Sequence, residues 1–177
     1  MPQTDLNEVF DGVIKVIGTR LKTLGFTQRG KAFTIATGAN CGIIDFQRSV
    51  KSSKNALLFT ITLGVVCGDL LDSGSSAARK AQILDAHVRQ RIGMLLPDCP
   101  DKWWEITRAT DTNSLVEELW QLLVTKAGPQ LHIYLDTRAL IALWESGQSP
   151  GLTDVQRTRF LTRLKAIHSG RREGSTA

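Results

Sequence analysis

The chain has 177 residues, of which 42% are hydrophobic, and it carries a formal net charge of +5. A chain of this size buries about 70% of the surface that it exposes when unfolded, so its core needs neither a disulfide nor a structural metal. Three widely spaced cysteines argue against a disulfide-rich secreted scaffold, and no apolar run approaches the roughly 18 residues of a membrane-spanning helix. The N-terminus has no signal-peptide pattern, so we expect a cytoplasmic protein without a membrane partner.

The first element is predicted to be an amphipathic helix. Apolar residues recur at three- and four-residue spacing from Leu6 to Leu24, which places them on one stripe of a helix. Asp5 can cap the start of this helix, with Glu8 three residues later reaching back. Gly25 can adopt the left-handed conformation that ends it.

Strand patterns follow this helix. Apolar and polar residues alternate along several short segments, and turn residues such as Gly30 separate them. The period of two indicates a half-buried antiparallel sheet of about five strands. The strand patterns cover residues 26–29, 32–36, 43–49, 57–64, 88–94 and 103–106.

The segment after the fourth strand pattern loses this regularity. Residues 68–76 are rich in Gly, Asp and Ser, and we expect an exposed loop there. Further along, Ser114 with Glu117 forms a capping-box pattern that predicts the start of a helix. Gly128-Pro129 is expected to interrupt that helix, because proline is poorly tolerated inside one.

Two more helices are predicted near the C-terminus. A short helix from Ala139 to Glu145 is expected to stop at Gly147. Thr153 with Gln156 forms a second capping-box pattern and opens the last helix.

This order of elements predicts an α+β fold, with an N-terminal helix, an antiparallel sheet and a C-terminal helical segment packed on it. We expect the sheet part to cover residues 1–110 and the C-terminal helices to cover residues 111–168 of the same domain. Residues 169–177 lack apolar anchors and are predicted to form a disordered tail.

One face of the predicted sheet is unusually polar, and it is the candidate functional surface. The alternative is that helices cover this face and its polar groups satisfy one another, or that it simply faces solvent. Polar side chains that are fixed on rigid strands can hold a ligand or a partner with little loss of entropy. An aspartate beside two arginines would also form a charge-assisted pair. One of the two adjacent tryptophans can join this surface while the other enters the core, and packing of both under the C-terminal helices is the simpler interpretation. The candidate surface comprises Asp45, Gln47, Thr60, Thr62, Arg89, Arg91 and Trp104.

Catalytic and metal-binding motifs are not recognisable in the sequence. The three histidines lie far apart without a second ligand-type residue at helical spacing, so no metal site and no cofactor are predicted. A Cys-His pair that meets only in space stays open at this stage.

The basic C-terminal segment suggests an alternative, nucleic-acid binding. Residues 153–177 carry six basic and two acidic side chains, which accounts for most of the net charge. At helical spacing Arg159 and Arg163 share one face, which forms a small basic patch. A solvated helix face is the simpler interpretation of the same pattern.

Several short motifs in one order resemble a known family. They are Leu-x-x-Leu-Gly-Phe at residues 21–26, Ile-Asp-Phe-Gln-Arg-Ser at 44–49, Phe-Thr-Ile-Thr-Leu-Gly-Val at 59–65, Arg-Ile-Gly at 91–93 and Trp-Trp at 103–104. Together they resemble the bacterial family catalogued as domain of unknown function 4304. The resemblance covers about Leu6 to Ile106, and residues 143–164 are similar to its C-terminal helical part. It implies the fold and a cytosolic bacterial origin, and it brings no established activity.

We therefore expect a non-catalytic domain that binds a partner protein, for example a bacterial cytosolic immunity-type factor that occludes a toxin's active site. Nucleic-acid binding through the basic C-terminal helix is the alternative. A third hypothesis is an enzyme or small-ligand binder that uses the polar sheet face.

Overall fold

The structure is a computed structural model that describes residues 5–98 and 100–173, and it has the predicted α+β fold. The helices are α1 (Leu6–Thr23), α2 (Gly74–Lys80), α3 (Thr112–Leu122), α4 (Gly128–Tyr134), α5 (Thr137–Glu145) and α6 (Asp154–Glu173). The strands are β1 (Thr27–Arg29), β2 (Ala32–Thr37), β3 (Asn40–Arg48), β4 (Leu57–Val66), β5 (Val88–Arg91) and β6 (Trp104–Ile106). Among the described residues, no helix combines the length and the apolar character that a membrane crossing requires.

Helix α1 begins and ends where the sequence predicts. The Asp5 carboxylate accepts a hydrogen bond from the backbone N–H of Asn7 at 2.9 Å and caps the first turn. Gly25 follows the helix with a φ of +88°, a conformation that costs a residue with a side chain more than it costs glycine. The apolar stripe of α1 is buried against the sheet, where Phe10 lies 4.8 Å from Phe59 between ring centroids.

The six strands form one antiparallel sheet. Its order is β1-β2-β3-β4-β5, and β6 pairs with β4 beside β5. Both short strands fit on one edge of β4, because β5 pairs with residues 62–65 and β6 with residues 57–59. A loop closes the outer edge of β5, since the backbone N–H of Arg89 donates to the carbonyl of Pro150 at 2.9 Å.

The two faces of the sheet are covered to different extents. The apolar face carries Phe46, Phe59 and Ile61 and forms the main core with α1 and the C-terminal helices. On the other face a small second core joins β3 and β4 to α2. Arg29 holds α2 there, because its guanidinium donates to the carbonyls of Lys80 and Ala81 at 2.9 and 3.0 Å. A 3₁₀ turn at Ile83–Asp85 also packs on this face, beside Gly64 of β4.

The predicted loop at residues 68–76 is wrong in part. Residues 68–70 form a 3₁₀ turn and α2 begins at Gly74, within the predicted loop. Leu70 lies in the main core and Ala78 in the second core, so burial orders a segment whose composition is typical of a loop. The predicted strand at 88–94 also ends early, at Arg91, where a 3₁₀ turn begins.

Helix α3 begins one turn earlier than the predicted capping box. Its N-cap is Asp111, whose side chain accepts hydrogen bonds from the backbone N–H groups of Asn113 and Ser114. The Ser114 hydroxyl itself donates to the Asp111 carboxylate at 2.7 Å. The prediction was wrong because an aspartate three residues upstream caps the same turn.

The predicted break at Gly128-Pro129 is wrong as well. A π turn at Leu123–Ala127 links α3 to α4, and the flanking residues keep helical dihedral angles. Gly128 donates its N–H to the carbonyl of Leu123, five residues earlier. The helix tolerates Pro129 at the start of α4 because a π turn rearranges the hydrogen bonds where proline lacks an N–H.

The last two helices complete the main core. Thr153 and Gln156 form the predicted capping box, with backbone-to-side-chain hydrogen bonds of 3.0 and 3.2 Å. Trp144 from α5 and Leu164 from α6 are fully buried in the same core as the sheet. Helix α6 continues to Glu173, so residues 169–173 are helical where a disordered tail was predicted. Residues 174–177 of that tail lie outside the described residues.

Candidate functional site

The sheet register brings most of the predicted surface residues together. Asp45 of β3 lies opposite Thr62 of β4, and Thr62 lies opposite Arg91 of β5. Gln47 and Thr60 form the next pair along β3 and β4. Residues directly opposite each other share a face, so these five side chains lie on the second face of the sheet.

Three of these side chains form a hydrogen-bond network. The Thr62 hydroxyl donates to Oε1 of Gln47 at 3.0 Å, and Nε2 of Gln47 donates to Oδ2 of Asp45 at 2.9 Å. Thr60 takes no part in it, since its hydroxyl donates to the Lys102 carbonyl at 2.8 Å and its side chain is fully buried. The network holds Asp45 and Gln47 in fixed positions on rigid strands.

Asp45 does not form the ion pair that the sequence suggested. Burial raises the pKa of its carboxyl group above the usual value, and the hydrogen bond from Gln47 opposes this only in part. No ion pair joins Asp45 to an arginine within residues 5–98 and 100–173. Arg91 turns instead toward Asp101, which was not among the predicted surface residues.

Arg91, Asp101 and Trp103 form a cluster at the edge of the polar face. The Arg91 guanidinium makes an ion pair with Asp101 and lies 4.9 Å from the centroid of the Trp103 ring. The Trp103 indole N–H donates to the other Asp101 oxygen at 3.1 Å. Hydrogen bonds from Arg91 and then Trp103 hold the pKa of Asp101 below its usual value. The cluster therefore presents an ordered arginine on an aromatic ring.

Trp104 lies apart from the other candidate residues. It pairs with Phe59 in the register, so its side chain joins the apolar face, where it is only 4% exposed. Its ring stacks on Phe59 at 5.6 Å, and its indole N–H donates to Glu118 at 2.9 Å. The two tryptophans do divide between the core and the polar side, but Trp103, not Trp104, contacts the polar face. A correct β4–β6 register was the signal needed to choose between them.

A shallow depression of about 300 Å³ lies beside the network. Gln47 and Thr62 line one part of it, and Arg89 and Arg91 line another. Leu84, whose side chain is 77% exposed, stands on its border. We call the part of the second sheet face that includes Asp45, Gln47, Thr62, Arg89 and Arg91, together with the adjoining Leu84, Asp101 and Trp103, the open face.

The structure brings one Cys-His pair together, but not as a reactive pair. The backbone N–H of Cys67 donates to Nδ1 of His87 at 3.0 Å. Burial raises the pKa of the Cys67 thiol to about 11 and lowers the pKa of His87 to about 4. Both groups are neutral near pH 7, so this thiol is a poor nucleophile. In the part of the chain that is described, no cluster of three His, Cys, Asp or Glu side chains could hold a metal ion.

The basic helix α6 is partly neutralised by acidic neighbours. Arg163 lies 3.5 Å from Asp72, and Lys165 lies 2.5 Å from Glu145. Arg159, the other residue of the predicted basic patch, is exposed on the same helix. The two arginines therefore share a helix face, as predicted, but Arg163 is already engaged.

Comparison with known proteins gives one result. A family model described as "Domain of unknown function (DUF4304)" matches residues 17–133, from the middle of α1 to the end of α4. Searches of curated proteins and of solved structures each returned no match.

Proposed function

Because the chain belongs to the DUF4304 family, as its motifs suggested, and the family description names no activity, we propose a function from its own surface: it binds a partner protein through the open face. The observation that carries this proposal is the Arg91 guanidinium, held on Trp103 and paired with Asp101. Arginine and tryptophan are enriched at the energetic centres of protein interfaces. A guanidinium that is already ordered loses less entropy when a partner binds.

The rest of the open face supports the same proposal. The chain from Thr62 through Gln47 to Asp45 fixes polar groups on two neighbouring strands. Leu84 adds an exposed apolar side chain beside them. A rigid surface of mixed polarity suits contact with another folded protein, and its depression of about 300 Å³ lies at the lower limit of the pockets that enclose small molecules.

The most specific form of the proposal is an immunity-type role, in which the open face covers the active site of a bacterial toxin. It places the protein in the bacterial cytoplasm. Support for that compartment comes from Cys41 and Cys67, which are buried free thiols. Nucleic-acid binding through Arg159 and Arg163 has weaker support, because Asp72 lies close to Arg163.

A pull-down with the tagged full chain from native host lysate, with and without nuclease, tests the proposal. We expect one near-stoichiometric protein partner that resists nuclease and is identified by mass spectrometry. R91E should lower its recovery at least tenfold, because it reverses the charge of the arginine that is held on Trp103. W103S, which removes the ring under the guanidinium, should act in the same direction.

R159E is the matched control, because it reverses an exposed arginine on α6. If R91E and W103S retain the partner as well as the unmodified chain does, the open face is not the interface. If the captured material disappears with nuclease and with R159E, nucleic-acid binding replaces the proposal. Circular dichroism of each variant verifies that its fold is kept.

A further inference from the structure

Arg89 differs from the other arginine of the open face in having no acidic partner. Arg91 is paired with Asp101, whereas no ion pair or side-chain hydrogen bond of Arg89 occurs among the described residues. The Arg89 backbone is fixed on both sides, by pairing with Gly64 of β4 and by the hydrogen bond to Pro150. Arg89 is a half-buried residue on a rigid strand, and no partner among the described residues uses any of its five guanidinium donors.

The surroundings of Arg89 favour an anion. It lines the depression of about 300 Å³ together with Arg91, Gln47 and Thr62. Arg91 adds positive charge, and its ion pair with Asp101 leaves guanidinium donors free. The acidic side chain nearest in the register, Asp45, accepts its hydrogen bond from Gln47. Among the described residues, none that lines the depression is acidic.

The border of the depression indicates what surrounds that anion. Leu84 is 77% exposed, and Ile83 beside it also lines the depression. Ile83 is fixed against the sheet, since a side-chain carbon added at Gly64 would lie 2.6 Å from its Cδ1 atom. An apolar wall next to an unpaired cation fits a protein side chain with apolar neighbours more than it fits a free inorganic ion.

We infer that this depression binds an acidic side chain of the partner protein, an aspartate or glutamate carboxylate on Arg89 with an apolar neighbour against Leu84. The inference deepens the proposed function and rests on it. A planar guanidinium and a carboxylate can form two parallel hydrogen bonds. Such a contact is specific in its geometry as well as complementary in charge. The partner residue would take the place that Asp101 takes for Arg91.

Titration of the full-length ¹⁵N-labelled chain tests the inference through the Arg89 Nε–Hε resonance. The probe is the blocked tripeptide acetyl-Leu-Asp-Leu-amide, with acetyl-Leu-Asn-Leu-amide as the matched uncharged peptide. We expect a saturable shift of the Arg89 resonance with the Asp peptide and at least tenfold weaker binding of the Asn peptide. R89Q lacks that resonance, so its backbone amide resonances at Gln90 and Arg91 are followed instead, and they should no longer shift with the Asp peptide. R138Q, on the exposed side of α5, should leave the Arg89 shift unchanged.

Titrations with sodium acetate and sodium phosphate test whether the depression binds a carboxylate within a peptide more tightly than it binds a free anion. We expect both to bind at least tenfold more weakly than the Asp peptide. L84S should weaken the peptide about three- to tenfold and leave acetate unchanged. Absence of a saturable Arg89 shift with the Asp peptide, or phosphate binding tighter than the peptide, would overturn the inference.

The same variants distinguish this inference from the proposed function. If the pull-down yields a protein partner and R89Q retains it fully, the inference fails and the proposed function stands. If the pull-down yields no protein partner while the Asp peptide still binds at Arg89, the proposed function fails and an acid-binding site remains.

Discussion

At the scale of single residues, His87 links burial to the pH dependence of stability. Its Nδ1 accepts the Cys67 N–H, and its ring lies 4.9 Å from that of Phe160 in α6. Burial first, and nearby Arg163 second, lower its pKa from 6.5 to about 4, while Asp85 opposes the shift. The unfolded chain therefore binds a proton at a higher pH than the native protein does, and stability is lost as the pH falls from about 6.5 through 4.

We expect protonation of His87 alone to lower the unfolding free energy by about 3 kcal/mol as the pH falls from 7.5 to 3.5, since each unit of pKa difference between the folded and unfolded chain corresponds to about 1.4 kcal/mol. H87N should flatten this loss, because the asparagine side chain can still accept the Cys67 N–H but does not titrate. Urea denaturation at pH 7.5, 5.5 and 3.5 measures the difference. H132N, at an exposed histidine, is the control. An unchanged pH slope in H87N would show that other groups cause the acid sensitivity.

Single residues also show where reasoning from sequence stops. Strand alternation predicted that Trp103 and Trp104 face opposite ways, and they do divide between the polar side and the core. Which of them is buried depends on the pairing of Trp104 with Phe59, and the local pattern of a three-residue strand does not fix that register. The Arg91–Asp101 pair was missed because it joins a strand to a loop ten residues away.

At the scale of elements, alanine substitutions at two glycines of α1 distinguish the effect of helix propensity on stability from the effect of packing against the sheet. A side-chain carbon added at Gly12 would meet no atom within 4 Å, whereas one added at Gly18 would lie 2.8 Å from the Phe33 ring. We expect G12A to raise the unfolding free energy by about 0.5 to 1 kcal/mol, because alanine favours the helix. We expect G18A to lower it by about 1 to 3 kcal/mol, because it pushes α1 away from β2.

The two variants are matched controls for each other in urea denaturation, since each replaces glycine by alanine in the same helix. Stabilisation by both would show that the α1–β2 contact adjusts at little cost. Destabilisation by both would mean that Gly12 has a contact in solution that the fold does not account for. Near-UV circular dichroism of G18A should also change if the aromatic core at Phe33 moves.

Elements with strong local patterns were predictable, and those ordered by distant contacts were not. The α1 helix, the β2–β3–β4 strands and the Thr153 cap follow from periodicity and capping chemistry, which act within a few residues. The π turn before Pro129 and the folded segment around Leu70 depend on packing against the sheet. Such contacts link residues that are far apart in sequence, so no local pattern contains them.

At the scale of the whole molecule, the main core extends beyond the segment that matches the family. The match ends at residue 133, but Leu140, Trp144 and Leu164 are fully buried in the core that contains the sheet. Arg157 of α6 also donates to the Trp144 carbonyl at 3.2 Å. Helix α6 therefore belongs to the folding unit of the sheet and is not an appended basic helix.

Because α6 packs in the main core, weakening its contact with that core should destabilise the whole chain. L164A removes a fully buried side chain and leaves a cavity between α6 and the rest of the core, so we expect it to cost about 2 to 5 kcal/mol of unfolding free energy. T162A, at an exposed position on the same helix, should change it by less than about 0.5 kcal/mol. Urea denaturation followed by both tryptophan fluorescence and far-UV circular dichroism should give a single coincident transition for each variant. If L164A unfolds at the same urea concentration as T162A, or if its two signals separate, α6 does not share the core's cooperative unit, and its charged face becomes available for other contacts.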